Sequence, residues 1–317
     1  MKISWKLIAT GLLAVMMLVA VGCGNTKEDA QPAADGKLKV VATTTMLADL
    51  SRQIGGDAIV VTGLMGPGVD PHLYQASAGD VKVMTDADVV VYNGLHLEGK
   101  MGEIFSKLEQ DQKATIRVSD ALDPATLLQF EDDEGLPATD PHIWFDVKNW
   151  MLAAGEVYEG LAAKDPAHKA LYKANYDNYL EELKKADAYV AQRAAEIPQE
   201  QRILITAHDA FQYFARAYGF EVKGLQGVST EAEAGAIDVR ELSDFIVTHQ
   251  IHSIFVESSV PHKTIEAVQE ACKAKGWDVQ IGGELYSDSC GAPGTPGGDY
   301  IGMVKENIDT IVSGLKE

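Results

Sequence analysis

An uninterrupted helical stretch in the middle of the chain constrains the fold more than any other feature. From Pro166 to Glu196 the sequence has no internal glycine or proline, and its leucines and tyrosines recur at helical spacing. About 30 residues at a rise of 1.5 Å would span roughly 45 Å. A helix of that length fits between two domains better than inside one. The alternative is a coiled coil, but the heptad pattern is not sustained.

The segments on both sides of this helix alternate between strands and helices. Apolar, β-branched runs predict strands, and stretches with helical spacing follow them. The predicted strands are 39–44, 58–64, 89–93, 202–209, 221–225, 253–257 and 278–281. The predicted helices are 46–54, 81–87, 101–108, 149–163, 211–218, 238–250, 263–275 and 301–315, with a loop over 284–300.

This order is typical of an α/β protein with parallel sheets. We therefore expect two similar lobes, each a parallel sheet flanked by helices, joined by one long rigid helix. The predicted N-terminal lobe covers residues 38–147, the helical linker 148–198 and the C-terminal lobe 199–317.

The charge of the chain limits its partners. The 317 residues are 46% hydrophobic and 23% charged, which is ordinary for a globular protein, and the net charge is -20. A chain so acidic, without a basic stripe, is not expected to bind nucleic acid. It would concentrate cations near its surface, although most of this charge is explained by solubility alone.

The N-terminus has the pattern of an export signal. Residues 1–22 begin with two lysines and continue with an apolar run, Leu7 to Val21, that is short for a membrane-spanning helix of about 20 residues. Cys23 follows directly and resembles the lipidated cysteine of a bacterial lipoprotein box. A diacylglycerol on Cys23 would anchor the chain, with residues 23–37 as a flexible tether. The alternative is an ordinary cleaved signal with an incidental cysteine.

The two later cysteines allow more than one state. An oxidising compartment would permit a disulfide between Cys272 and Cys290, and two free or buried thiols are an equal alternative. Cys290 follows Asp288 by two residues, so a role as a soft metal ligand stays open.

Three histidines and one aspartate stand where strands end or loops begin. The tripeptide Asp-Pro-His occurs twice and places His72 and His142 in loops, while His208 follows a predicted strand and Asp288 lies in a late loop. Parallel sheets collect ligands beyond the carboxyl ends of their strands. Two of these residues belong to each lobe, which predicts one metal ion in the cleft between the lobes.

The proline before each loop histidine limits the backbone conformations that can present the imidazole, because proline fixes its own φ and restricts the preceding residue. Asp70 or Asp140 could then accept the second ring N–H of the neighbouring histidine. The remaining histidines have ordinary explanations as surface or helix-end residues: His96, His168, His249, His252 and His262. The acidic run 131–134 is best explained as a solvated loop.

Several motifs in order resemble the zinc/manganese ABC-transporter solute-binding lipoproteins known as cluster A-I. They are VVATTTMLADL, GPGVDPHLYQ, TDPHIWFD, ITAHDAFQYFARAYGFEVKGLQGVSTEAEAG, FVESSV, and GGELYSDS with GTPGGDYIGM. The resemblance covers nearly the whole mature chain and implies two lobes with limited hinge motion. It assigns the metal to His72, His142, His208 and Asp288. The segment around His208 is most similar to manganese-binding lipoproteins of Gram-positive type.

The resemblance implies a carrier and not an enzyme. Such a protein is lipid-anchored through Cys23 on the extracytoplasmic face of the bacterial cell membrane, works as a monomer, and delivers Mn(II) to an ABC permease and its ATPase. Zn(II) is the second possible cargo, because three imidazoles and a carboxylate suit zinc and the Irving–Williams order places manganese below it. Two further functions stay open, a surface adhesin with a merely structural metal and a zinc hydrolase. For the hydrolase, Glu257 is the candidate base.

Overall fold

The first lobe is built on one parallel sheet. The computed structural model describes residues 36–131 and 135–316. The elements of this lobe are β1 (Leu38–Ala42), α1 (Thr45–Gly55), β2 (Ile59–Gly63), α2 (Ala78–Asp86), β3 (Val89–Tyr92), α3 (Gly102–Gln110) and β4 (Ala114–Arg117). The four strands are parallel in the order β2-β1-β3-β4, with Val40 opposite Val61 on one side and Val89 on the other. A short antiparallel hairpin follows, made of β5 (Gln129–Glu131) and β6 (Pro137–Thr139).

Two long helices lead into a second lobe of the same design. The helices are α4 (Val147–Lys164) and α5 (Lys169–Ala194). The lobe then contains β7 (Ile203–His208), α6 (Gln212–Tyr218), β8 (Glu221–Gln226), α7 (Ala236–Thr248), β9 (Ser253–Glu257), α8 (Lys263–Ala274), β10 (Gln280–Leu285) and α9 (Tyr300–Lys316). Its strands form two separate parallel pairs, β7–β8 and β9–β10, and β7 lies beside β9. The spatial order β8-β7-β9-β10 corresponds to that of the first lobe and confirms the prediction of two similar α/β lobes.

The predicted bridging helix is confirmed. It begins with a 3-10 turn at Pro166–His168 and continues as the 26 residues of α5. Its buried side chains, among them Tyr179, Leu183, Ala186 and Val190, form one stripe along the helix. The helix packs against α1 of the first lobe and α9 of the second, so it contacts both halves of the protein.

One apolar core joins the two sheets through these helices. Val40 and Val91 of the first sheet belong to the same buried cluster as Leu204 and Phe255 of the second. Further clusters cover the outer faces of the sheets, one in each lobe. Since burial of apolar surface is the main stabilising contribution to folding, a shared core opposes large movement of one lobe relative to the other.

Three local predictions were incomplete. Strands β5 and β6 were not predicted because each has only three residues. Strand β4 was not predicted because Ala114–Arg117 is a short, partly exposed edge strand without a long apolar run. Strand β10 continues beyond residue 281, where the predicted strand ended, through Gly282 and Gly283 to Leu285, which was predicted to lie in the loop 284–300. Glycine weakens a strand signal, and here it marks a shift of register between Ile281 and Gly283.

The N-terminal predictions lie outside the described residues. They concern the signal at 1–22, Cys23 and nearly all of the tether at 23–37. Of the acidic run at 131–134, predicted as a solvated loop, only Glu131 is described; it is exposed but is the last residue of β5. Within the described ranges, every helix is too short or too polar to cross a bilayer.

Candidate metal centre

The four predicted ligands meet at one point between the lobes. His72 follows β2 and His142 follows β6, while His208 ends β7 and Asp288 follows β10. One ligand atom from each residue lies within 4.8 Å of all the others, and all four residues are buried. Strand ends and loops of both lobes therefore converge on one site, as the sequence predicted.

The spacing of these atoms fits a single ion. Nε2 of His142 lies 3.3 Å from Nε2 of His72 and 3.3 Å from Nε2 of His208. The carboxylate oxygens of Asp288 lie 3.4–3.7 Å from the three Nε2 atoms. Ligands about 2.1 Å from a tetrahedral zinc ion are roughly 3.4 Å apart. One ion at the centre would contact all four side chains.

The carboxylate of Asp288 has no other partner. Among the described residues, neither of its oxygens forms a hydrogen bond, and Asp288 is 1% exposed. Although burial alone would raise the pKa of Asp288, the imidazoles of His208 and His142 lower it well below its usual value. A buried carboxylate without hydrogen bonds is costly unless a cation compensates it. The site is therefore built for positive charge.

The ring of His142 is oriented by Asp140, as we expected. Its Nδ1 lies 2.8 Å from Asp140 Oδ1, which also accepts the backbone N–H of His142 at 2.9 Å. The backbone oxygen of Asp140 accepts the hydroxyl of Tyr213 at 3.0 Å, so the second lobe supports this loop. With Nδ1–H donated to Asp140, Nε2 is left to face the ion.

The same expectation is wrong for Asp70. Its Oδ1 accepts the backbone N–H of His72 at 2.8 Å, and its Oδ2 accepts the hydroxyl of Thr230 at 2.6 Å. Within the described ranges, the ring Nδ1 of His72 forms no hydrogen bond. Asp70 therefore positions the backbone of the loop and not the imidazole.

Glu257 supports His208 in the way that Asp140 supports His142. It is fully buried and accepts the backbone N–H of His208 at 2.8 Å and the ring Nδ1–H at 2.5 Å. Sequence reasoning named Glu257 only as the base of a hydrolase, and this contact occupies both of its oxygens. The sequence signal was limited to the position of Glu257 at the end of a predicted strand, because the contact depends on β9 lying beside β7.

The other histidines lie away from this centre. The group of metal-ligating side chains among the described residues contains none of them. His168 pairs with Asp165, His249 contacts the backbone oxygen of Phe245, and His252 faces Trp277.

Neither described cysteine is a ligand. Cys272 and Cys290 are free and buried, so the disulfide is not formed. Burial raises the pKa of the Cys290 thiol, which keeps it protonated and a poor metal ligand. The backbone N–H of Cys290 donates to Thr45 Oγ1 at 2.7 Å and ties the Asp288 loop to the first lobe.

Comparison with known proteins decides the family. A family described as "ZnuA: Zinc-uptake complex component A periplasmic" matches residues 40–314. The chain belongs to the ZnuA family. This confirms the resemblance seen in the sequence motifs.

Relatives of this ZnuA-family chain match it over nearly its full length. Zinc-binding protein TroA of Treponema pallidum (strain Nichols) is 50% identical over 308 residues, 97% of this chain and 98% of TroA. Manganese-binding lipoprotein MntA of Bacillus subtilis (strain 168) is 45% identical over 309 residues, 96% and 99% of the two chains. The solved structure of periplasmic zinc-binding TroA from Treponema pallidum superposes with a TM-score of 0.85 at 51% identity, covering 88% of this chain and 99% of that chain.

Replacing Asp140 with alanine is expected to weaken metal binding by this ZnuA-family protein about 10- to 100-fold, the usual effect of removing the partner of a ligating histidine. A competition titration measures the change. The matched control is Asp165→Ala, which removes the partner of the half-exposed His168 at the surface. Unchanged affinity in Asp140→Ala would remove the orienting role of Asp140.

Metal binding is expected to release protons and to strengthen as pH rises. Burial would lower the pKa of His142, but Asp140 and Asp288 raise it to about 9, and Glu257 and Asp288 likewise raise the pKa of His208 against its burial. Burial lowers the pKa of His72 to about 3. At pH 7 the metal must therefore displace a proton from His142, and the raised pKa of His208 acts in the same direction.

The test is calorimetric titration in two buffers of different ionisation enthalpy. We expect proton release at pH 7 and an affinity that rises from pH 6 to pH 9. Binding at pH 7 with the same apparent enthalpy in both buffers would contradict this expectation.

Proposed function

We propose that this protein is the substrate-binding component of a metal ABC transporter, which captures a divalent transition-metal ion between its lobes and delivers it to a membrane permease. The observation that carries the proposal is the buried convergence of three Nε2 atoms and the carboxylate of Asp288, which accepts no hydrogen bond from the described residues. The names of relatives support it: one is "Manganese ABC transporter substrate-binding lipoprotein PsaA" of Streptococcus mitis, 33% identical over 315 residues.

Mn(II) is the cargo that we propose first. Both oxygens of Asp288 face the site: Oδ1 lies 3.5 Å from His142 Nε2, and Oδ2 lies 3.4 Å from His208 Nε2. Bidentate binding by this carboxylate would give five ligand atoms with the three imidazoles. A coordination number above four, with carboxylate oxygen in the set, suits manganese better than a closed tetrahedral site does.

Zn(II) is the second candidate. The 3.3 Å separations between Nε2 atoms are those of a tetrahedral zinc site, and TroA, named as a zinc-binding protein, is 50% identical. Zn(II) also binds more tightly than Mn(II) to almost any site of this kind.

A carrier is preferred over a hydrolase. Catalytic zinc sites keep an open position for water and a free base beside it. Here the ligands are buried and Glu257, the base that such an enzyme would use, is bound to His208. An adhesin with a merely structural ion is distinguished by experiment: it would exchange metal slowly and resist chelators.

The cellular setting belongs to the same proposal. We place the protein on the extracytoplasmic face of the cell membrane, anchored through lipidated Cys23, as a monomer that works with an ABC permease and its ATPase. The pattern of residues 1–23 and the relatives named as lipoproteins support this placement.

A competition titration of the metal-stripped protein with Mn(II) and Zn(II) tests the function. We expect reversible binding of one ion per chain, with a dissociation constant for Mn(II) below about 1 µM. Zinc binding without useful manganese affinity would identify Zn(II) as the cargo. Slow exchange and resistance to chelators would instead favour the adhesin.

A further inference from the structure

The three ligating imidazoles are supported unequally. His142 and His208 each donate Nδ1–H to a buried carboxylate, and their side chains are fully buried. His72 has no such partner for its ring among the described residues, and its side chain is 3% exposed. A ligand without a ring partner is the one whose orientation depends most on its backbone.

The backbone of the His72 loop is held by the second lobe. Gly68 N–H donates to Ser289 Oγ at 2.8 Å, next to the ligand Asp288. Thr230 Oγ1 donates to Asp70 Oδ2 at 2.6 Å, and Asp70 Oδ1 in turn accepts the N–H of His72 at 2.8 Å. Thr230 lies between β8 and α7, so this chain of bonds crosses the cleft from the second lobe to a ligand of the first.

We propose that Thr230 is a positioning residue for metal release: its hydroxyl holds Asp70, and through Asp70 the backbone of His72, so that loss of this bond lets His72 leave the ion first. The inference rests on the proposed function, because it concerns release of the captured ion. Thr230 is buried, with 5% of its surface exposed, and its acceptor is a carboxylate. Hydrogen bonds to charged groups are among the stronger ones in proteins.

The neighbouring residue provides a matched control. Glu231 also reaches across the cleft, to Lys100 at 2.7 Å, but the side chains of this pair are 45% and 40% exposed. Exposed ion pairs contribute little. Glu231→Gln therefore removes a cross-cleft contact of the same segment without touching the chain of bonds that leads to His72.

The test uses the full chain in detergent, loaded with Mn(II) or Zn(II), and measures metal dissociation with an excess of chelator. Thr230→Val keeps the shape of the side chain without its hydroxyl, and we expect the dissociation rate to rise about ten-fold, the scale of one hydrogen bond to a charged group. The association rate should change little. Thr230→Ser keeps the hydroxyl and should release metal as slowly as the wild type. Glu231→Gln should also release metal at the wild-type rate.

A second readout needs no metal. Amide hydrogen exchange of residues 66–74 in the metal-free protein should accelerate in Thr230→Val and not in Glu231→Gln. An unchanged dissociation rate in Thr230→Val, or an equal increase in Glu231→Gln, would overturn the role of Thr230 while leaving the carrier function intact. A wild-type protein that binds no metal reversibly would instead overturn the proposed function, and the release role with it.

Discussion

Replacing Asp288 with asparagine is expected to abolish useful metal binding. The substitution keeps the shape of the side chain but removes the only negative charge among the four ligands and the possibility of bidentate binding. Loss of a residue that merely supports a ligand already costs about 10- to 100-fold in affinity, so loss of this ligand should cost on the order of 1,000-fold. An ion that binds the folded state raises its stability by mass action. The melting temperature of the wild type should therefore rise with added metal, and that of Asp288→Asn should not.

The matched control for this substitution is Asp278→Asn. It removes an exposed carboxylate of the same lobe, ten residues earlier, that lies outside the ligand group. Its affinity and its metal-induced stabilisation should equal those of the wild type. Metal-induced stabilisation of Asp288→Asn at wild-type metal concentrations would exclude Asp288 as a ligand.

Replacing His208 with alanine is expected to have two large effects. It removes one of the three imidazole ligands, and it leaves the Oε2 atom of the fully buried Glu257 without the ring that it binds. Removing one member of a buried, hydrogen-bonded charged pair costs about 3–5 kcal/mol in folding stability. We therefore expect loss of metal binding together with destabilisation of the metal-free protein by about that amount, measured by urea unfolding.

Two further variants separate these effects. His249→Ala removes an exposed histidine and should change neither affinity nor stability. Adding Glu257→Gln to His208→Ala removes the uncompensated charge, so it should recover part of the stability but none of the binding. A His208→Ala variant with wild-type stability would contradict the buried pairing with Glu257.

The ligands were predictable because of where they stand in the sequence. His72 follows and His208 ends a strand of a parallel sheet, and parallel strands present their carboxyl ends at one edge, whereas His142 was predicted in a loop and follows the antiparallel hairpin β5–β6. The repeated Asp-Pro-His tripeptide indicated His72 and His142, the late acidic loop indicated Asp288, and the resemblance to metal carriers implied the same four residues. Since both lobes have the same α/β design, placing ligands in loops of both lobes was enough to locate the cleft.

The contacts around the ligands were harder to predict. The partner of His142 lies two residues away, at Asp140, and local geometry identified it. The partner of His208 lies 49 residues away, at Glu257, and only the side-by-side packing of β7 and β9 brings the two together. Asp70 was misassigned because its second oxygen binds Thr230, a residue 160 positions later whose approach depends on the packing of the two lobes.

The most direct test of the four-ligand site is a crystal structure of the metal-loaded protein with anomalous diffraction collected at the absorption edge of the metal. We expect one strong anomalous peak between the lobes, at bonding distance from Nε2 of His72, His142 and His208 and from the carboxylate of Asp288. A single peak elsewhere on the chain, or a peak that lacks contact with Asp288, would contradict the site on which the proposed function depends.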